Sequence, residues 1–338
     1  MICREDAATA YLGLDVGNTR LSAALIADGG RVLALRRGET PPSADEAIDR
    51  LVELATAVIA DADESPVAVG IGFGGPVDTR TGRVRTSFLS SGWEGIALGS
   101  VLADRFGVST WLANDADAAG LGEVTFGAGR GAQSALYVNV GTGIGGAVIL
   151  DGRVRVGATS SAGEIGHMVV SPDGPRCECG KRGCLQALSS GTAIARHARA
   201  LLSDGRGDAA GSPLAGLSPE DLTGRRVGEA ALEGDATALV AVAEAARWLG
   251  LALANAAHLL DPERIIVGGG VTDLGEVFLE PVRGSYRSQI FGPATDTPVV
   301  RAELGYDAGA IGAGAVAMAG AGARSEPEAA ESSGRTSE

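Results

Sequence analysis

The sequence predicts an α/β protein built from two similar domains, and three observations lead to this prediction. The chain has 338 residues, which suggests two domains at about 150 residues each. Short apolar runs alternate with segments of helical periodicity, as in α/β domains with covered sheets. One pattern occurs twice: a strand, a polar residue, a Val-Gly turn, a second strand and an Asp-Gly hairpin. A repeat of domain length indicates duplication, and two such halves facing each other would form a ligand-binding cleft.

The two copies of this pattern predict two antiparallel three-stranded units. In each copy a glycine turn joins the first two strands, and an Asp-Gly hairpin leads to the third. The first copy predicts a strand and turn at 11–20 and strands at 21–27 and 31–35; the second predicts a strand, turn and strand at 135–150 and a strand at 153–156.

The rest of the chain alternates helical and strand patterns. The longest apolar stretch, 239–260, is interrupted by charged and polar residues, which predicts an amphipathic core helix rather than a membrane span. The remaining predicted elements are helices at 43–62, about 228–260 and 308–319, and strands at 67–73, 110–112 and 264–267.

Composition excludes several classes of protein. The net charge is −14 and the pI is near 4.7, so the chain lacks the basic surface of a nucleic-acid-binding protein. The first six residues contain no apolar core of a signal peptide, and three of four cysteines are crowded into one short segment. Such crowding favours a metal site in a reducing cytoplasm over a disulfide framework.

Two glycine turns are candidate phosphate-binding loops. The turn after Asp15 runs from Gly17 to Arg20, and its counterpart starts at Gly141. Without Cβ atoms, such turns let backbone N–H groups approach phosphate oxygens closely, and Asp15 could hold Mg²⁺ through water. Each turn alone could be a hairpin that needs positive φ. The duplication favours the phosphate interpretation.

A Cys-x-Cys-x₄-Cys segment and an upstream histidine predict a structural zinc site. The four candidate ligands are His167, Cys177, Cys179 and Cys184. Three thiolates and one imidazole complete a tetrahedral Zn²⁺ site with no open position. The alternative is a set of buried cysteines with an incidental histidine. Glu164 lies three residues before His167, so both side chains could also contact a polyhydroxylated substrate.

A further candidate lies where the strand before residue 115 ends and a helix begins. Asn114 and Asp115 would stand at the carboxyl edge of the sheet, where α/β proteins place their sites. Either residue could be only the N-cap of the helix, with Asp117 as an alternative cap. Beside two phosphate turns, Asp115 becomes the candidate general base for an attacking hydroxyl.

Taken together, these motifs resemble the repressor–ORF–kinase (ROK) family over about residues 11–319. The resemblance implies the duplicated actin–hexokinase (ribonuclease-H-like) fold, and ATP- and Mg²⁺-dependent phosphorylation of a sugar hydroxyl, most often the hexose 6-OH. The segments that carry it are Asp15-Val-Gly-x-Thr19, 72–78, 114–119, 141–146, 164–167, 177–184, 268–271 and 308–313.

The resemblance also implies roles for individual residues. Asp115 would be the base. The sugar would contact Gly74, Asn114, Asp115, Glu164, His167 and Gln186. ATP would contact Asp15, Gly17, Asn18, Thr19, Arg20, Thr142, Gly143, Gly269 and Gly270. The expected organisation is a flexible terminus at 1–9, a small domain at 10–116 plus 305–321, a large domain at 117–304 with its zinc loop at 167–184, and a disordered tail at 322–338.

Three departures from the family pattern concern the substrate and the first turn. Gln186 stands where a sugar-binding Glu is common, and Leu89 where a polar residue often faces substrate, so the hydroxyl pattern of the substrate could differ. Asn18 and Arg20 replace Gly and Lys; Asn tolerates left-handed geometry and Arg keeps the charge.

Three classes of function compete. The first is a cytoplasmic kinase for a hexose, an amino sugar or a cyclitol, expected to be a homodimer or homotetramer with no nucleic-acid or membrane partner. The second is a sugar-responsive repressor, disfavoured by the acidic charge and by the start of the core near residue 10. The third is a sugar-binding protein without catalysis, disfavoured by the retention of Asp115 and both turns.

Overall fold

The computed structural model describes residues 9–87, 91–204 and 211–325. The chain forms two compact units: a first unit that ends at Gly122 and resumes at Gly309, and a second unit, Glu123–Ala308. The domain boundaries predicted from the sequence lie at 116/117 and 304/305, whereas the two compact units meet at 122/123 and 308/309. The chain leaves the first unit inside a helix, where the sequence has no break to mark the position. Leu89, residues 1–8 of the predicted terminus and residues 326–338 of the predicted tail lie outside the described residues.

The first unit is a five-stranded sheet with helices. Its strands occur in the order β3-β2-β1-β4-β7; β1, β2 and β3 are antiparallel neighbours, and β4 and β7 are parallel to β1. The elements are β1 Ala10–Val16, β2 Arg20–Ala27, β3 Val32–Glu39, α1 Ala44–Ala62, β4 Pro66–Phe73, β5 Val77–Asp78, β6 Arg83–Val84, α2 Leu98–Phe106, β7 Ser109–Asn114, the start of α3 Asp115–Phe126, and α9 Ala308–Ser325 apart from its first residue.

The second unit repeats the same topology. Its sheet has the order β10-β9-β8-β11-β12, with β8, β9 and β10 antiparallel and β11 and β12 parallel to β8. This match confirms the duplication predicted from the sequence. The elements are β8 Ala135–Val140, β9 Ile144–Leu150, β10 Arg153–Val154, α4 Gln186–Ser189, α5 Gly191–Ser203, α6 Gly224–Leu232, α7 Ala236–Leu260, β11 Arg264–Gly268, α8 Glu276–Gln289 and β12 Val299–Arg301.

Two predicted helical regions can be compared with the helices observed. The helices predicted from about 228 to 260 are α6, which starts four residues earlier, and α7; they are separated where Gly234 has a φ of +90° and Asp235 caps α7 by accepting a hydrogen bond from the Ala238 N–H. Helix α9 continues to Ser325, past residue 322 where the tail was expected to begin.

Helix α7 is the one helix in the described ranges that is long and apolar enough to cross a membrane by length and composition alone. Of its most apolar 18-residue window, 56% is buried inside the protein. Ala241, Leu249 and Leu253 are fully buried in the core of the second unit. These contacts are typical of a core helix.

Helix α9 lies directly on the sheet of the first unit, and glycines make that approach possible. A Cβ atom at Gly13 would lie 2.0 Å from the carbonyl oxygen of Ala310, and one at Gly70 would lie 1.8 Å from that of Ala313. Real Cβ atoms do not come so close to backbone, so both strand positions require glycine. The packing brings the start of α9 to Asp15: a Cβ at Gly309 would lie 2.6 Å from the Asp15 carboxyl carbon.

Glu123, at the start of the second unit, ties together two segments distant in sequence. Its side chain is fully buried. Oε2 accepts hydrogen bonds from the backbone N–H groups of Ala128 (2.9 Å) and Glu303 (3.1 Å), and Oε1 accepts from Leu304 (2.8 Å). One carboxylate therefore satisfies one buried and two part-buried backbone donors.

We expect Glu123→Ala to lower the free energy of unfolding by about 3 kcal/mol or more, since each unpaired buried donor costs about 1–3 kcal/mol. Glu123→Gln should also destabilise, because one oxygen becomes an NH₂ group that meets backbone donors. Urea denaturation measures both, with exposed Glu233→Ala as the matched control. An unfolding free energy unchanged in Glu123→Ala would contradict this role.

Candidate functional site

The parallel strands of the first unit bring two predicted carboxylates together. Asp15 pairs in register with Gly72 on β4, and Gly72 with Ala113 on β7, so Asp15 and Asp115 stand at the same carboxyl edge of the sheet. A Cβ atom at Gly72 would lie 3.6 Å from Asp15 Oδ1 and 3.7 Å from the Cα of Asp115. Glycine at this position leaves space between the two acidic residues.

The surroundings of Asp15 favour its protonated form. Burial is the largest cause, the nearby negative charge of Asp115 adds to it, and Arg20 partly opposes it; together they raise the pKa of Asp15 to about 7. The residue as a whole is only partly buried, at the edge of the sheet. An added cation beside these two carboxylates would relieve the repulsion between them.

This shift predicts a pH dependence of stability for the ligand-free protein. The folded state binds the Asp15 proton more tightly than the unfolded state, so Asp15 stabilises the fold below about pH 4 and loses that contribution as pH rises to about 7. We expect the wild type to lose stability relative to Asp15→Asn across this window. Thermal unfolding of both proteins from pH 4 to 8 tests it; parallel profiles would contradict the raised pKa.

Asn114 caps the helix that begins at Asp115. Its Oδ1 accepts hydrogen bonds from the backbone N–H groups of Ala116 (2.9 Å) and Asp117 (3.4 Å), and its Nδ2 donates to the carbonyl of Gly75 (3.2 Å). The cap is therefore Asn114, and Asp117 lies inside the first turn. With Asn114 in that role, Asp115 is left half-buried at the helix start, where the helix dipole favours a negative charge.

The turn from Gly17 to Arg20 does not use the positive φ that the hairpin alternative would require. Within the described residues, neither Gly17 nor Asn18 adopts a left-handed conformation, so the tolerance of Asn for that geometry is not used. The Gly17 N–H donates to the Arg20 carbonyl (3.0 Å), and Thr40 Oγ1 donates to the Gly17 carbonyl (2.8 Å). Asn18 and Thr19 are exposed at the tip of this turn. The predicted Gly74, at the end of β4, donates its N–H to the Val16 carbonyl (2.9 Å).

The second glycine turn, Gly141–Gly146, shows the same absence of positive φ within its described residues. The neighbouring Gly269 does have a positive φ, and the backbone of β8 lies close to it. That residue has a φ of +87°, and a Cβ there would lie 2.5 Å from Asn139 Oδ1 and from the Val140 carbonyl oxygen. Thr142, Gly143 and Gly269 thus meet at one edge of the sheet in the second unit, with Gly270 next in the chain.

The start of helix α5 is a part of this site that the sequence did not reveal. The Gly191 N–H donates to the Gly141 carbonyl (2.8 Å), and Thr192 Oγ1 donates to the Thr142 carbonyl (3.1 Å). The only signal in the sequence is Ser190, a good N-cap ahead of the helix, whose side chain accepts from the Ala193 N–H. That signal predicts where the helix begins but not what it touches.

The four predicted metal ligands converge in the second unit. The ligand atoms of His167, Cys177, Cys179 and Cys184 all lie within 4.8 Å of one another. His167 Nδ1 is 3.7 Å from Cys177 Sγ, and the sulfur atoms of Cys179 and Cys184 are 3.6 Å apart. Sulfur ligands about 2.3 Å from a tetrahedral Zn²⁺ stand about 3.7 Å from one another. The geometry therefore fits a metal ion held by three thiolates and one imidazole.

Local structure and electrostatics also fit a bound cation. Burial is the main cause that raises the pKa of the Cys184 thiol to about 12, whereas a backbone hydrogen bond from Lys181 is the main cause that lowers the pKa of Cys179. A cation would ionise the buried thiol at neutral pH. Gly183 makes the loop possible: its φ is +70°, and a Cβ would lie 1.5 Å from the Ser171 carbonyl oxygen.

His167 presents its two ring nitrogens in different directions. Nδ1 lies beside the thiols, and Nε2 is 4.0 Å from Glu164 Oε2. Both side chains are substantially exposed, at 40% and 51%. A metal on Nδ1 would fix the imidazole ring and leave Nε2 and the Glu164 carboxylate available for hydroxyl groups.

The predicted residues therefore form two groups, one in each unit. The first unit holds Asp15, Gly17, Asn18, Thr19, Arg20, Gly74, Asn114 and Asp115. The second unit holds Thr142, Gly143, Glu164, His167, Cys177, Cys179, Cys184, Gln186, Gly269 and Gly270.

Comparison with known proteins gives one consistent result. The ROK family model matches residues 11–319. A glucokinase from Thermotoga maritima is 36% identical over 310 residues, which cover 90% of this chain and 96% of that protein. A ROK family glucokinase from Streptomyces griseus, solved with glucose and AMPPNP, is 35% identical with a TM-score of 0.78, over 92% of this chain and 99% of that one.

A second solved structure agrees. The ROK hexokinase from Thermus thermophilus is 33% identical with a TM-score of 0.77, over 93% of this chain and 100% of that one. These matches confirm the family resemblance and the actin–hexokinase-like fold. The chain belongs to the ROK family.

Proposed function

We propose that this protein transfers the terminal phosphoryl group of ATP to the 6-hydroxyl of a hexose. The observation that carries the proposal is the full-length similarity to glucokinases, one of which was solved with glucose and AMPPNP. The retained site residues support it, since carboxylates, glycine turns and sugar-binding polar groups stand at the positions that the family pattern requires.

In this proposal Asp115 is the general base. It accepts the proton of the attacking sugar hydroxyl as the oxygen bonds to phosphorus and the ADP leaving group departs. Its half-buried place at the start of α3 and the Asn114 cap hold its backbone in position. Among the residues that the family pattern assigns to the sugar, Asn114, Gly74, Glu164, His167 and Gln186 would contact its hydroxyls.

Asp15 and the two glycine turns would serve the nucleotide. Burial and the nearby charge of Asp115 raise the pKa of Asp15, and Mg²⁺ held by Asp15 through water would offset that charge. When bound, Mg²⁺ neutralises charge on the phosphates. Gly17, Asn18, Thr19, Arg20, Thr142 and Gly143 would surround the triphosphate, and Gly269 and Gly270 would lie nearer the nucleoside.

The cysteine–histidine cluster would hold a structural Zn²⁺. Its four protein ligands leave no open position for catalysis. A site that needs reduced thiols supports a cytoplasmic location. We also propose a homodimer or homotetramer with no nucleic-acid or membrane partner; the net charge of −14 supports the exclusion of nucleic acid.

A substrate screen tests the proposal. ATP consumption is measured with Mg²⁺ and with glucose, mannose, N-acetylglucosamine, N-acetylmannosamine or myo-inositol. We expect turnover with at least one hexose, and the position of the new phosphate is read by NMR. Preference for an amino sugar or for the cyclitol would make that compound class the substrate instead, which the Gln at position 186 allows. Sugar binding without ATP turnover for every compound would favour the non-catalytic class instead.

A further inference from the structure

The side chain of Gln186 contacts the second glycine turn. Gln186 is the first residue of α4 and follows Cys184 by two positions. Its Oε1 accepts a hydrogen bond from the backbone N–H of Ile144 at 3.2 Å. A Cβ atom at Gly143 would lie 2.9 Å from the same oxygen, so the carboxamide covers Gly143 closely.

One short segment holds this turn at three points. The Gly191 N–H and the Thr192 hydroxyl donate to the carbonyls of Gly141 and Thr142, while Gln186 accepts from Ile144. Within the turn the Gly141 N–H donates to the Gly143 carbonyl at 2.9 Å. The carbonyls of residues 141 to 143 therefore all point to protein donors.

The consequence concerns the backbone donors that remain. In the described part of the chain, the N–H groups of Thr142 and Gly143 donate to no protein atom. These two N–H groups would donate hydrogen bonds to a phosphate oxygen. Of the three contacts that the segment 186–192 makes with this turn, only the one from Gln186 is a side-chain acceptor, and it lies next to Gly143.

We infer that Gln186 is a positioning residue for the nucleotide: its side-chain carbonyl holds the second glycine turn in the shape that binds the triphosphate. This inference rests on the proposed kinase function. The sequence-based prediction gives Gln186 a sugar contact, and its Nε2 remains available for one. The carbonyl oxygen faces Ile144 because an N–H donor needs an acceptor.

Nucleotide binding without sugar separates the two roles. The Kd of Mg·AMPPNP is measured by isothermal titration calorimetry for the wild type, Gln186→Leu and Gln186→Glu, with exposed Gln289→Leu as the matched control. We expect Gln186→Leu to raise Kd about 5–10-fold, because a buried donor is left without its partner. Gln186→Glu keeps an acceptor and should stay within about threefold of wild type, and Gln289→Leu should match it.

Steady-state kinetics give an independent readout. Gln186→Leu should raise KM for ATP by a similar factor, with a smaller change in kcat. Equal nucleotide Kd values in Gln186→Leu and wild type, or an increase in sugar KM alone, would overturn the inference. A wild type that binds no Mg·AMPPNP would instead defeat the proposed function itself.

A second variant keeps the test valid if Gln186→Leu folds poorly. Gly143→Ala should weaken Mg·AMPPNP binding, because its Cβ would displace the Gln186 carboxamide, whose atoms are the three nearest to that position, at 2.9–3.6 Å. In a Gln186→Ser background that obstacle is gone, so the added effect of Gly143→Ala should be clearly smaller. Fully additive effects of the two changes on Kd would show that the residues act separately and would overturn the inference.

Discussion

Replacement of Asp115 with asparagine is expected to lower kcat for ATP-dependent sugar phosphorylation by about 10²–10⁴-fold, the contribution typical of a positioned general base. Asparagine has the same shape and keeps the helix start intact, but it cannot accept the proton of the attacking hydroxyl. Coupled assays with saturating ATP and sugar measure this loss. The Kd of Mg·AMPPNP should change much less than kcat.

Two controls separate lost chemistry from lost structure. Asp104→Asn makes the same change at an exposed residue of α2 and should leave kcat unaltered. Thermal unfolding should show that Asp115→Asn is folded. The same unfolding experiments report on Asp15. Without the Asp115 charge the pKa of Asp15 should fall, and the pH window in which Asp15 affects stability should move lower. Unchanged turnover in Asp115→Asn would refute the proposed base.

The fold was predictable because its main signals are local and repeated. Each copy of the strand–turn–strand pattern carries its own hairpin signal, and the two copies reinforce each other. The spacing of Cys177, Cys179 and Cys184 fixes a tight loop, so convergence of these side chains with His167 was also predictable. In both cases the residues that must meet are close in sequence, or repeat a unit already seen.

Contacts between distant segments were not predictable from one sequence. Nothing around Glu123 shows that its carboxylate binds N–H groups 180 and 181 positions away. The contact from Gly191 to Gly141 likewise depends on how α5 packs on the sheet. Single-sequence patterns describe the periodicity of an element, whereas these bonds depend on which face of the element meets which neighbour.

The glycine turns show a different limit, in which the sequence leaves the physical reason for a glycine open. A hairpin that needs positive φ was one interpretation of Gly17 and Gly141, yet neither is left-handed in the structure. At Gly143 a Cβ would crowd the Gln186 carboxamide, whereas at Gly13 the approach of the α9 backbone requires glycine. Glycine marks both kinds of requirement with the same letter, so only the packing distinguishes them.

Loss of the metal is expected to have the largest effect on stability. We predict about one Zn per chain by elemental analysis. Structural zinc sites contribute apparent binding free energies of about 10–16 kcal/mol, well above the contribution of the few backbone hydrogen bonds inside the loop, such as Cys177 N–H to the Lys181 carbonyl (2.8 Å). The buried Cys184 lies beside two other thiols, and without a cation its pKa is raised to about 12. Removal by a chelator, or Cys184→Ser, should lower Tm markedly and expose the 167–184 loop to proteolysis.

The same experiment tests how far this loop supports the nucleotide site. Cys184 is two residues before Gln186, so disorder in the loop should release the second glycine turn and weaken Mg·AMPPNP binding as well. Cys3→Ser removes the remaining cysteine of the sequence and controls for thiol loss alone; it should keep the zinc content and Tm of the wild type. If the chelated protein keeps both Tm and protease resistance, the cluster has no structural metal role. If Tm falls but nucleotide affinity persists, the loop stabilises the second unit without positioning its glycine turn.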